Sequence, residues 1–129
     1  MSAFRTKTGR ARIRRWLDHA PSDLLFVSVM TIGELQRGVE KLRPKRPKDA
    51  SDIEEWLTGI RQSFNGRILP FDEVAAIAWG RMSPRARGDL ADALIAATAL
   101  VRDLTVVTRN RKDFEQRGVR VVNPFEAAP

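Results

Sequence analysis

The sequence contains no cysteine and a single histidine, His19. The first absence removes a disulfide framework, a thiol nucleophile and any cysteine-ligated zinc site. The second removes two-histidine mechanisms and argues against a metal site built from imidazole. No stretch approaches the roughly 20 apolar residues of a membrane-spanning helix. The opening Met1-Ser-Ala-Phe-Arg-Thr-Lys and the residues up to Arg15 are basic, without the apolar core and small-residue cleavage site of a secretory signal. Internal repeats and low-complexity linkers are also lacking. What remains is 129 residues, 43% hydrophobic and 30% charged, the balance of one globular domain rather than a disordered chain. The expectation is a single domain over residues 1–129, cytoplasmic and without a membrane partner.

Charge is the first positive signal. Lys and Arg number 23 against 16 Asp and Glu, a formal net charge of +7. A surplus of this size favours polyanionic partners, since each neutralised phosphate releases condensed counterions; an acidic protein would satisfy the same field. Six cations from Arg5 to Arg15 precede the first acid, Asp18. A second cluster, Lys41, Arg43, Lys45, Arg46 and Lys48, is interleaved with Pro44 and Pro47. Both clusters also read as solvated surface.

The pattern alternates between strand-like and helix-like segments. Residues 11–19 suit a short helix closed by Pro21. Leu24 to Val29 is apolar and β-branched, as in a strand buried on both faces. Ile32, Leu35, Val39 and Leu42 then recur at helical spacing, up to the basic segment 43–48. A second helix is predicted from Ile53 to Phe64, a turn at Asn65-Gly66, a short strand over 67–70, a helix capped by Asp72 and running to Met82, and an arginine-rich loop over 84–88. Leu90 to Leu104 predicts the most buried helix. Thr105 to Val107 and Val119 to Val122 predict the last two strands. Trp16, Trp56 and Trp79 lie among apolar residues and read as core or interface. Such alternation implies an α/β fold, a parallel sheet covered on both faces, with sites at the carboxyl ends of its strands.

Three acids occupy such places. Glu34 follows the strand Leu24–Val29, Asp113 follows Thr105–Val107, and Asp92 opens the buried helix. Clustered carboxylates repel unless a cation sits among them, and oxygen ligands without histidine or cysteine select hard ions such as Mg²⁺ or Mn²⁺. In a basic protein this fits metal-assisted phosphodiester hydrolysis. Each acid also has a structural reading: Thr31 with Glu34, Asp89 with Asp92, and Asn110 with Asp113 all match the spacing of a capping box. An acid in a first turn also complements the helix dipole. Asp89, one turn from Asp92, is the further acid that could take a ligand role. Arg85 and Arg87 flank the approach to Asp92 and could hold substrate phosphates. His19, beside a helix end, reads as a solvated side chain.

The segments Val29-Met-Thr-Ile-Gly-Glu34-Leu, Ala91-Asp92-Ala-Leu-Ile-Ala-Ala-Thr-Ala-Leu and Val107-Thr108-Arg-Asn110-Arg-Lys-Asp113-Phe114, with the closing Val121-Val-Asn-Pro124-Phe, resemble the PIN-domain nucleases, and most of all the VapC-type toxins of toxin–antitoxin pairs. The resemblance implies a three-layer fold, a parallel sheet between helices, and an endoribonuclease whose acids bind Mg²⁺ or Mn²⁺. Carried over by residue, it makes Glu34, Asp92 and Asp113 the catalytic metal ligands, and Thr108 and Asn110 the support for the last acid and the attacking water. It also implies an RNA substrate, a homodimer and an antitoxin that occupies the groove.

One departure stands out. The family opens with a strand ending in a ligand aspartate, within an Asp-Thr-Asn or Asp-Thr-Ser run, whereas Met1-Ser-Ala-Phe-Arg is similar to the residues that follow it. The expectation is therefore an N-terminally truncated domain lacking its first strand, with apolar surface and sheet edges exposed. Three functional expectations follow: a metal-dependent endoribonuclease toxin, a catalytically impaired module that binds antitoxin or nucleic acid without cleavage, and a chain that does not fold stably.

Overall fold

The computed structural model describes residues 25–85, 89–108 and 111–123. The expected helix over 11–19, Trp16, His19, Arg87 and Asn110 lie outside the described residues.

The apolar run ending at Val29 enters the fold as β1 (Val27–Ser28), and α1 (Val29–Leu42) follows at once. The switch is made by Ser28, whose hydroxyl accepts a hydrogen bond from the Met30 amide at 3.0 Å and caps the helix. This start overturns the capping box expected at Thr31 and Glu34. Thr31 is already inside the helix and buried, and no acid lies in the first turn. Glu34 is in the second turn, where an N-terminal amide is no longer waiting for a partner.

The next helix, α2 (Pro47–Ser63), begins six residues earlier than the predicted Ile53. Proline at the first helical position loses no hydrogen bond and brings a preset φ, so Pro47 starts this helix rather than breaking one. Arg46 and Asp49 pair across the start at 2.5 Å. α1 packs against α2 around fully buried Val39, Ala50 and Leu57. At the rim Arg43 bridges Glu40 and Glu54 at 3.0 and 2.9 Å, so part of the basic cluster at 41–48 is neutralised within the fold. The turn at Gly66, with φ +83°, leads into β2 (Ile68–Leu69), which pairs parallel to β1 with Val27 opposite Ile68. The Arg67 guanidinium donates to the Leu25 carbonyl at 2.9 Å.

α3 (Glu73–Gly80) is capped by Asp72, whose carboxylate accepts from the Ala75 amide at 3.0 Å. It packs on α4 (Leu90–Val101). In α4 the buried residues are the small ones, Ala93, Ala96, Ala97, Thr98 and Ala99, together with Asp92, whereas Leu90 and Leu100 face solvent. Close helix packing, not leucine side chains, fills the centre. β3 (Val106–Val107), α5 (Arg111–Glu115) and β4 (Val121–Val122) complete the chain. β3 and β4 are again parallel, with Val106 opposite Val121. Phe114, 1% exposed, joins Ala96, Ala99, Val106, Val119 and Val121 in one cluster.

The parallel pairing and the helical cover agree with the expected α/β fold. The single sheet does not form among the described residues: the strands stand as two separate pairs, β1 with β2 and β3 with β4. An apolar cleft of about 520 Å³ runs between them.

Candidate active site

α4 brings the predicted acids toward one another. It packs against α1, which carries Glu34, and against α5, which carries Asp113. Asp92 stands in the first turn of α4 and is only 6% exposed. Its amide donates to the Asp89 carboxylate at 2.8 Å, so Asp89 is the cap and Asp92 the residue it caps. This is one half of the expected capping box, and it accounts for the Asp92 amide but not for its carboxylate.

Burial pushes the Asp92 carboxyl up from an ordinary 3.8 to about 6, and the negative charges of Asp89, Glu34 and Asp113 act in the same direction. Helix N-termini and solvation ordinarily favour the ionised form; here withdrawal from water and surrounding like charge outweigh them. Glu34 is half-buried, with its Oε1 shielded from solvent. Asp113 lies in the first turn of α5, a helix held down by Phe114.

Thr108, 4% exposed, ends β3, and Thr31, 6% exposed, sits past the end of β1. Both hydroxyl residues are thus at the carboxyl ends of parallel strands, the region where sites gather in such folds. Arg85 is exposed, on the turn after α3, and nothing among the described residues joins it to the acids. The residue that sequence reasoning passed over is Arg117. It is 9% exposed, and its guanidinium donates to the backbone carbonyl of Asp113. The four-residue spacing from Asp113 was the available signal.

The donor chemistry suits a hard divalent cation: oxygen ligands only, and a buried carboxyl whose ionisation is opposed by three neighbouring negative charges. Among the described residues, however, no three acids draw close enough together to form a set that could hold one ion. Glu34 and Asp113 each act electrostatically on Asp92 without the three forming a compact ligand shell. No helix among the described residues is long and apolar enough to cross a membrane.

Comparison with known proteins places this geometry in context. The PIN domain family matches residues 1–119. The chain is 33% identical to a plasmid stability protein, StbB, of Pseudomonas syringae pv. tomato, over 91% of this chain and 87% of that one. It is 35% identical to the toxin FitB of Neisseria gonorrhoeae, over 88% and 85%, and 30% identical to a VapC ribonuclease of Sinorhizobium fredii, over 88% and 84%. Among solved structures, FitAB bound to a DNA fragment superposes with a TM-score of 0.84 at 30% identity, covering 99% of this chain and 92% of that one.

Proposed function

The chain belongs to the PIN-domain family, with toxins of the VapC and FitB type among its relatives, and on that premise we propose that it is a divalent-metal-dependent endoribonuclease, the toxin of a toxin–antitoxin pair, folded as one PIN domain. The observation that carries this reading is the Asp92 carboxyl, buried at the head of α4 and raised to about 6 with Glu34 and Asp113 acting on it. Burial is the largest cause of that rise and the Asp89 charge the next, and acids from two other helices add to it.

In this reading Asp92, Glu34 and Asp113 hold Mg²⁺ or Mn²⁺, and the ion supplies a polarised phosphate and a water of lowered pKa. Asp92 contributes a carboxylate oxygen from a backbone held by the Asp89 cap and the packing of α4. Glu34 and Asp113 carry negative charge from the flanking helices. Thr108 and Asn110 orient the attacking water, a role that the buried position of Thr108 just after β3 supports. The net charge of +7 draws the RNA backbone to the protein, and Arg85 and Arg87 are the cations assigned to its phosphates. Its protein partners in this reading are an antitoxin, the kind of complex in which the similar FitAB structure was solved, and a second copy of the chain.

The test is cleavage of a labelled RNA with Mg²⁺ or Mn²⁺ and with EDTA. Asp92→Asn and Glu34→Gln should each abolish cleavage while circular dichroism stays that of the folded chain. Unchanged metal-dependent cleavage in the double variant would overturn the assignment.

A second reading is favoured by one observation, that no three acids among the described residues form an ion-holding set. In it the protein is a catalytically impaired PIN module that binds antitoxin or RNA without cutting. Binding that persists in EDTA, with no cleavage at any Mg²⁺ or Mn²⁺ concentration, would select it.

A further inference from the structure

Two charged residues are buried among the described ones, Asp92 at the candidate site and Arg117 after α5. Long cations stay at the surface unless their charge is bonded. Arg43, Arg46, Arg102, Arg111 and Arg120 do so and each pair with a carboxylate. Arg117 is different. It is 9% exposed, and its Nη1 donates to the backbone carbonyl of Asp113.

That bond fills a gap left by the main chain. In a regular helix the Arg117 amide would donate to Asp113, four residues back. Here the chain tightens as α5 ends. The Gln116 amide keeps its helical partner, Lys112, at 3.3 Å, but the Arg117 amide goes to Phe114 and the Gly118 amide to Glu115, both at 3.0 Å. These amides pass over the Asp113 carbonyl. The Arg117 guanidinium takes it instead, and Gln116 Nε2 adds a longer bond at 3.4 Å. A cation at this end of a helix also meets the negative end of its dipole.

α5 has five residues, too few to hold their shape through backbone bonds alone. Phe114 fastens one side of it to the core. Asp113 is the half-buried residue before Phe114, and its charge acts on Asp92. The setting of this single turn therefore decides where the Asp113 carboxylate stands.

We propose that Arg117 is the positioning residue of Asp113: by holding the Asp113 carbonyl, it fixes the turn from which the Asp113 carboxylate serves the metal site. The role is exerted through the backbone, without contact between Arg117 and either ion or RNA. This inference rests on the nuclease reading, in which Asp113 is a ligand.

The test titrates Mn²⁺ alone into the whole chain, without RNA, and follows the electron paramagnetic resonance of the free ion. Methionine keeps an unbranched stem and drops the guanidinium. Arg117→Met should weaken Mn²⁺ binding by about 10–100-fold. Asp113→Asn should weaken it too, and the double variant no further than Asp113→Asn, because the two residues act as one unit. In EDTA, Arg117→Met should speed amide exchange at Gln116 while the Val106 and Thr108 amides, bonded to the β4 side, stay protected. Arg117→Lys keeps the stem and charge but not the planar fork, and should bind Mn²⁺ with an affinity between those of wild type and Arg117→Met. It carries the same comparison where Arg117→Met does not fold. A residue that serves stability alone would lower the urea midpoint and leave the Mn²⁺ affinity of the folded chain unchanged. That result, or losses that add in the double variant, would overturn the positioning role and leave the nuclease reading standing. A wild type that binds no Mn²⁺ would overturn the nuclease reading, and this role with it.

Discussion

Replacing Asp92 by asparagine should make the protein more stable and inactive at once. The folded-state value of about 6 lies above the ordinary 3.8, so the folded chain holds this proton more tightly than the unfolded chain. Stability is therefore greatest below the unfolded value and falls as pH rises through about 6. At pH 7.5 the ionised carboxylate costs up to about 3 kcal/mol, at about 1.36 kcal/mol for each tenfold change in proton affinity. Asparagine has the same shape and no charge, and its amide leaves the Asp89 cap intact. In EDTA at pH 7.5, Asp92→Asn should raise the urea midpoint, with a gain of about 1–3 kcal/mol. At pH 4.5 the native carboxyl is mostly protonated and the advantage should shrink to about 1 kcal/mol or less. Added Mg²⁺ should then stabilise the wild type and leave the variant unmoved, since only a folded state that binds the ion gains from it. A variant less stable than wild type at pH 7.5 in EDTA would refute the reasoning, because it would mean that the carboxylate is held by favourable partners rather than opposed by burial and charge.

Phe114→Ala, at a side chain 1% exposed, should cost about 3–5 kcal/mol in chemical denaturation, and loosen α5 and with it Asp113. Ser28→Ala removes the cap of α1 and should lower stability by about 1 kcal/mol, measured by the same denaturation; no change would show that another group satisfies the Met30 amide. Gly118, at φ +80°, makes the turn from α5 to β4. Gly118→Ala should cost about 1–2 kcal/mol, since a Cβ is disfavoured there, seen as a lower Tm.

Periodicity made the helices legible and charge chemistry singled out the acids. Val39 and Leu57 fall where the apolar spacing puts them, and Asp72 caps the helix it precedes. The errors came where one residue's local chemistry outranked the pattern. Pro47 looks like a break, yet at a first helical position it is a start. Thr31 and Glu34 have the spacing of a capping box, but Ser28 reaches the amides first. The arrangement of strands was less accessible still. Two-residue strands carry almost no alternation, and whether two pairs join depends on contacts between segments far apart in sequence. The grouping of Glu34, Asp92 and Asp113 around α4 likewise depends on tertiary packing, so spacing alone could not choose between capping and ligand roles. Arg117 escaped notice because a cation is ordinarily read as surface, and only its burial against the Asp113 carbonyl marks it.

The separation of the strands into two pairs bears on cooperativity. β1, α1, α2 and β2 form one continuous stretch of chain, and β3, α5 and β4 form another, with no ladder bond between them among the described residues. α4 packs on both stretches, against α1 and against α5. Each is a candidate folding unit, and the shorter one, closed over few residues, has the lower loop-closure cost. Glu34 belongs to the first unit, Asp113 to the second, and Asp92 to the helix that joins them. An ion bound by all three would therefore act as a clamp across a joint, coupling the opening of one unit to that of the other.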